Sequence, residues 1–479
     1  MMTVKCHNVV WLCNPSTEVA AKTETLTVTV PVPRPHMLRW RCFALVALQS
    51  KRIKSVLPHH LTTTMYKAPA MLASLAVCLT ACAAAADNMK PRLQRPLTTT
   101  RLNDEPTRRR WSSVPIQEAQ WFEMGYSLNV SLGSPPQQVA VYLDISSPDS
   151  WITSTALPGR HRVCKTAAAF NTSASSTFLA TNTPARFHFD WLWGQGNLSY
   201  DTIGFGSVSA HGQAIAVPDY VSSDTWGFNA CPMAGTLGLA PFSSRTEPDD
   251  FGEPSPFVRM VRQKALHRNL FALRLRGPRA ELSFGRTNPD IYRDRDGFLA
   301  EVPLTRHRSS IWDGAWQTTA LYLRLDARED EANNSFVADL GNTPAAFSTR
   351  SAEIHLPEGV YNRVYAAAGF EKSGGWMVPP TVECPRRSAM PNVTFTLGGG
   401  AGQNLTLTAF DYTMEWPLAD PGRCACLFTT SSGFDWSGEV ILGWAFMRAF
   451  YVVFDLDAEL IRCEYLLIKR CKKRRERKG

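Results

Sequence analysis

The chain has 479 residues, 44% of them apolar, which is long enough for two domains and a sizeable core. Its formal net charge of +9 sits at the ends: residues 1–64 carry about +6, residues 65–110 about +5 and residues 469–479 about +7, leaving residues 111–468 near −9. That acidic body speaks against nucleic acid as its partner and suits low pH, where partial protonation of carboxylates relieves their mutual repulsion.

Residues 1–64 show no core pattern and read as disordered or as a gene-model artefact upstream of a true start at Met65 or Met71. Residues 65–86 have the build of a signal peptide: one lysine (Lys67), an apolar run from Met71 to Leu79, and a small-residue end at Ala83–Ala86. Residues 87–115 are polar and include Arg108-Arg109-Arg110, which predicts a propeptide or linker. From Trp121 onward, short β-branched or alternating runs lie between Gly, Pro, Asn and Ser. Strands are expected at Tyr126–Leu132, Val139–Leu143, Leu270–Leu275 and Phe450–Phe454, and helices at Pro256–Leu266 and Pro357–Phe370. The expectation is an all-β protein with an N-terminal lobe over 116–296, a C-terminal lobe over 297–465 and a basic tail over 466–479. Leu466-Leu467-Ile468 is too short to span a bilayer, so no membrane span is predicted.

Six Asn-x-Ser/Thr sequons, at Asn129, Asn171, Asn197, Asn333, Asn392 and Asn404, fit an exported glycoprotein, secreted or vacuolar, reached through the secretory pathway. Export permits disulfides, and Cys384 with Cys424 or Cys426 is the favoured pair, with Cys164–Cys231 as a second. No Cys-x-x-Cys or His-x-x-x-His spacing occurs, so neither a metal nor another cofactor is expected.

Two apolar runs end in an aspartate followed by small polar residues: Val141-Tyr142-Leu143-Asp144-Ile145-Ser146-Ser147, and Phe336-Val337-Ala338-Asp339-Leu340-Gly341-Asn342. Each resembles the Asp-Thr/Ser-Gly signature of the pepsin-like aspartic peptidases. Further markers follow in that family's order: Gly133-Ser134-Pro135-Pro136-Gln137, Ser175-Ser176-Thr177-Phe178, Gly235-Thr236-Leu237-Gly238-Leu239, Glu281-Leu282-Ser283-Phe284-Gly285 and Leu442-Gly443-Trp444-Ala445-Phe446. The resemblance implies a bilobal fold of two barrel-like lobes, with an extended polypeptide bound in the cleft between them and the chain acting as a monomer.

It also implies an aspartic endopeptidase in which Asp144 and Asp339 share a proton and activate a water at acid pH. The flanking residues depart from the family pattern. Ile145 and Leu340 stand where hydroxyls lock the two loops together, and Ser146 stands for a glycine that Gly341 keeps. Ser147 and Asn342 offer the remaining polar support. The hairpin at Phe187–Ile203 resembles the family's flap, and Trp193 or Phe189 holds the place of its tyrosine. These departures leave a second reading open, a catalytically inactive homologue that binds peptide or protein.

Overall fold

The computed structural model describes residues 2–11, 21–30, 111–118, 125–157, 168–189, 192–223, 233–243, 251–276, 280–288, 299–308, 310, 312–326, 335–371, 379–415, 421–430 and 438–465. The chain divides into two units, Met1–Arg101 and Leu102–Gly479. In the first, Met2–Trp11 and Ala21–Val30 pair as an antiparallel hairpin. This differs from the disorder expected of residues 1–64; the run of β-branched residues in Thr23-Glu24-Thr25-Leu26-Thr27-Val28-Thr29 supports the second strand. The expected signal peptide and the basic tail lie outside the described residues.

The second unit is all-β and two-lobed. A sheet of thirteen strands runs through it, beside one of seven and one of three. At one end of the large sheet, three strands of the second half join three of the first edge to edge. Ala300–Pro303, Leu460–Tyr465 and Phe450–Asp455 from the second half lie beside Leu270–Arg274, Glu281–Phe284 and Ser112–Glu118 from the first. The expected strands are present, and the two helices are Pro256–Arg262 and Glu358–Ala368. Ser255 caps the former with its hydroxyl, and Gly369 in left-handed backbone ends the latter.

The core is aromatic where the halves meet. Trp316 packs against Phe271 and Phe454 with ring centroids 5.5 and 5.1 Å apart, and its indole N–H donates to the Leu239 carbonyl at 3.1 Å. Phe242 N–H donates to the Gly314 carbonyl, and Arg306 donates to that of Ser243. The wall between halves is therefore a mixture of ring packing and backbone-directed hydrogen bonds.

One expected boundary moves. The sequence predicts a propeptide or linker up to residue 115, whereas Ser112–Glu118 is a strand paired to Glu281–Phe284 on one side and to Tyr126–Leu132 on the other. Alternation explains it: Val114 and Ile116 point into the core while Ser113, Pro115 and Gln117 face out. Arg286 stacks on the Trp111 ring just before this strand. Ile116→Ala is expected to cost about 2–5 kcal/mol of unfolding free energy by removing a fully packed side chain. Denaturant titration checks this against Ser113→Ala, whose exposed hydroxyl reaches only Glu281.

Candidate active site

The strand Gln137–Asp144 buries Val139, Val141 and Leu143 on one face, and its last residue meets Gly238 of the parallel strand Gly235–Gly238. Gly238 must lack a side chain, because a Cβ there would collide with the carbonyl oxygens of Ser147 and Asp149. Asp144 is 1% exposed. Its Oδ1 accepts from the Ser146 N–H (2.8 Å), the Ser146 hydroxyl (2.6 Å) and the Ser147 N–H (3.2 Å). Ser147 in turn accepts from the Asp149 N–H at 3.2 Å.

The second half repeats this construction around Ser348. The strand Phe336–Phe347 runs parallel to Val440–Leu442 and ends at Phe347, one residue before Ser348. Gly443 lies under the carbonyls of Ser351 and Glu353 as Gly238 lies under those of Ser147 and Asp149. The Ser348 hydroxyl accepts from the Arg350 N–H at 3.1 Å, as Asp144 accepts from Ser146. Ser351 accepts from the Glu353 N–H at 3.2 Å, as Ser147 accepts from Asp149. Four separate correspondences place Ser348 opposite Asp144.

The two loops meet directly. Thr349, next to Ser348, donates its hydroxyl to the Leu143 carbonyl at 2.7 Å and accepts from the Ile145 N–H at 3.1 Å. Both neighbours of Asp144 are thereby held by one side chain. The reverse bridge is missing, because Ile145 has no hydroxyl and is instead wholly buried in the core. The Ser146 hydroxyl lies 3.1 Å from that of Ser348, adding a second link across the join.

Asp339, expected as the second acid, is not brought to Asp144. It is exposed and sits within the strand, eight residues before Phe347, paired to Tyr322 of the strand Gln317–Leu325. At roughly 3.3 Å per residue, an extended strand would put it about 26 Å from that end. Asp339-Leu340-Gly341-Asn342 is instead an irregularity in a long hairpin: Gly341 and Asn342 take φ of 66° and 58°, and Asp339 Oδ1 accepts from the Gly341 N–H at 2.8 Å. Leu340 packs in the core, while Gly341 and Asn342 are exposed. None of the four supports the loop of Asp144. The expected pair is corrected to Asp144 and Ser348, with Thr349 as the missed lock. Spacing carried the signal: Gly238 follows Asp144 by 94 residues and Gly443 follows Ser348 by 95, but Gly443 follows Asp339 by 104.

The sequence model for "Eukaryotic aspartyl protease" matches residues 125–464, most of the chain. The chain belongs to the eukaryotic aspartyl protease family. Vacuolar protease A of Aspergillus fumigatus is 30% identical over 350 residues, covering 69% of this chain and 76% of that protein. Pepsin A of Gallus gallus is 26% identical over 343 residues, covering 70% and 82%. Chymosin of Ovis aries is 26% identical over 352 residues, covering 73% and 82%.

In this aspartyl protease homologue the segment expected to form the flap lies in the hairpin of Leu179–Phe189 and Leu192–Phe205, with Phe189 opposite Leu192. The Phe189 side chain lies outside the described residues. Trp193 is half-buried and packs on Tyr220, ring centroids 5.2 Å apart, so it braces the neighbouring strand. Phe187 stacks on Trp151 at 4.4 Å. Trp151 Nε1 is buried without a hydrogen-bond partner.

Cys384 and Cys424 form a disulfide; Cys164 and Cys231 lie outside the described residues. Cys426 remains a thiol, pushed up to about 12 by burial, which makes it a poor nucleophile. Asn129, Asn171, Asn197, Asn392 and Asn404 are all exposed, and Asn333 lies outside the described residues. Among the described residues no group of three or more His, Cys, Asp or Glu could hold a metal, and no helix is long and apolar enough to cross a membrane.

Beneath the second loop, His355 Nε2 lies 2.9 Å from the Ser351 hydroxyl, which also donates to Glu353 Oε2 at 3.0 Å. Burial pushes His355 down to about 4 from its ordinary 6.5. The folded state therefore favours neutral His355: its stabilisation is complete above pH 6.5 and falls away as pH drops towards 4. Unfolding free energy should lose roughly 3 kcal/mol between pH 7 and pH 4 through this group. His355→Gln should flatten that part of the pH profile.

Thr349→Val keeps the shape but strands the Leu143 carbonyl and the Ile145 N–H. A loss of about 2–4 kcal/mol is expected from two unsatisfied buried groups. Thr349→Ser should retain most of the stability in the same denaturation experiment.

Proposed function

We propose that this aspartyl protease homologue binds extended polypeptide in its interlobe cleft without cleaving it by the two-carboxylate mechanism. The observation that carries this reading is Ser348 in the place opposite Asp144. Water activation in that mechanism needs one carboxylate to accept a proton while its partner donates one, and the pair must share a proton. A serine hydroxyl does not ionise in the relevant range, so it cannot take the second role. Asp144 remains as a lone carboxylate with three donors on one oxygen.

The features that shape the cleft are kept. Thr349 fixes the Asp144 loop, the Gly238 and Gly443 contacts hold both loops down, and the flap hairpin is formed. Binding needs this architecture; hydrolysis needs the second acid as well. Relatives named as vacuolar proteases support routing through the secretory pathway to a vacuole or the exterior. A polypeptide ligand, a monomeric state and glycosylation belong to the same reading.

The test uses the chain from Asp87 onward, which contains every described strand of the second unit. At about pH 3–4, where a carboxylate pair can share its proton, it is incubated with a denatured protein and the fragments are read by mass spectrometry. The expected result is no cleavage, alongside saturable binding of labelled peptides. Cleavage blocked by an aspartic-peptidase inhibitor and abolished by Asp144→Asn would falsify the reading. Combining Ser348→Asp, Arg350→Gly and Ser146→Gly should raise cleavage at least about a hundredfold over background, the scale of an acid–base group.

A further inference from the structure

The outer face of the seven-stranded sheet carries an exposed row of side chains. Tyr322 is paired to Asp339 on one side and to Thr396 on the other, and Thr396 is paired to Asn404. Residues directly opposite across adjacent strands share a face, so the four form one line. Tyr322 is 45% exposed, and Val337 on the adjoining row is 58% exposed. This is an apolar patch on a face otherwise made of threonine, asparagine and charged groups.

Asn404 begins the sequon Asn404-Leu405-Thr406. The Thr396 hydroxyl donates to Asn404 Oδ1 at 2.8 Å, which turns the amide so that Nδ2 faces away from Thr396. Nδ2 is the atom that takes a sugar, and the Thr396 bond is compatible with its substitution. Thr406 is already bonded to Thr394, hydroxyl to hydroxyl at 2.8 Å, so attachment has to precede folding. Tyr322 lies two strands from Asn404, roughly 10 Å at the usual spacing, within reach of the first sugars. Three other sequons among the described residues are placed differently: Asn129 faces Ala140, Asn197 faces Pro184 and Val217, and the Asn171 side chain caps the turn at Ser173.

We propose that Asn404 carries an N-linked glycan whose first sugars lie along this row, with an apolar pyranose face on the Tyr322 ring. The donor is a lipid-pyrophosphate-linked oligosaccharide. The Nδ2–C1 bond forms as the C1–O bond to pyrophosphate breaks; the amide loses one proton, and the lipid pyrophosphate leaves with the bonding pair. The glycan then shields Tyr322 and Val337, the occupant that an exposed apolar patch otherwise lacks. This inference rests on the export reading above.

The full chain is secreted from eukaryotic cells, and occupancy at every sequon is read by mass spectrometry after enzymatic deglycosylation in heavy-oxygen water. Folded protein is then nitrated with tetranitromethane. Tyr322 is expected to react severalfold more slowly in the glycosylated protein than in Asn404→Gln, while Tyr220, exposed on the flap side, reacts equally in both. If Asn404→Gln does not fold, glycosidase treatment of the folded protein provides the same comparison. Occupied sequons elsewhere with a bare Asn404 overturn the inference and leave export intact. Equal nitration of Tyr322 overturns the sugar–ring contact. No occupied sequon at all, or no secreted protein, overturns export and the inference together.

Discussion

A single hydroxyl, that of Thr349, holds the centre of the molecule in place. It donates to the residue before Asp144 and accepts from the residue after it, so one side chain of the second half clamps both neighbours of Asp144 in the first. In a symmetric arrangement a second hydroxyl would return the grip. Here Ile145 occupies that side and contributes packing alone, so directional restraint runs one way across the join. The close approach of Ser146 to Ser348 partly replaces what was lost, at a position where a glycine could not contribute.

The exchange of an acid for Ser348 changes the electrostatics at the centre more than its shape. Two like charges about 3 Å apart would raise each other's proton affinity and store a proton between them. With one carboxylate there is no such coupling, and the hydrogen bonds on Asp144 Oδ1 are satisfied within its own loop. In the proposed reading this centre positions one carboxylate and supplies no acidic partner for it. Beneath the opposite loop, that of Ser348, the Ser351–Glu353–His355 contacts tie its lower side to a group sensitive to acid.

Much of this was legible in the sequence. Alternating strands such as Tyr126–Leu132 and Phe450–Asp455 declared themselves because a pleated strand with one buried face leaves a period of two. Asp144 was found for the same reason, an apolar run ending at a turn. Asp339 misled because it has the same local signature, and the pairing of Tyr322 with it is invisible in one strand read alone. Ser348 and Thr349 were missed because the motif had lost the residue by which it is sought; only their distance to Gly443 remained as a trace. The Ser112–Glu118 strand was missed because its pattern is short and begins beside a charged run. The neighbouring strands Glu281–Phe284 and Tyr126–Leu132 decide its fate.

The shared end of the large sheet, where strands of the two halves join, sets a constraint on how the molecule is made. Leu270 is paired to Asp455 and Arg274 to Tyr451, so a strand of the first half has its neighbour some 180 residues later in the chain. Such pairing closes a long loop before any contact rewards it, which slows folding and leaves an open edge in the meantime. The first lobe therefore cannot finish its sheet until residues 450–455 have been made. Its edge must wait, exposed, until the last strands emerge, and the two lobes reach their final form as one event rather than in turn.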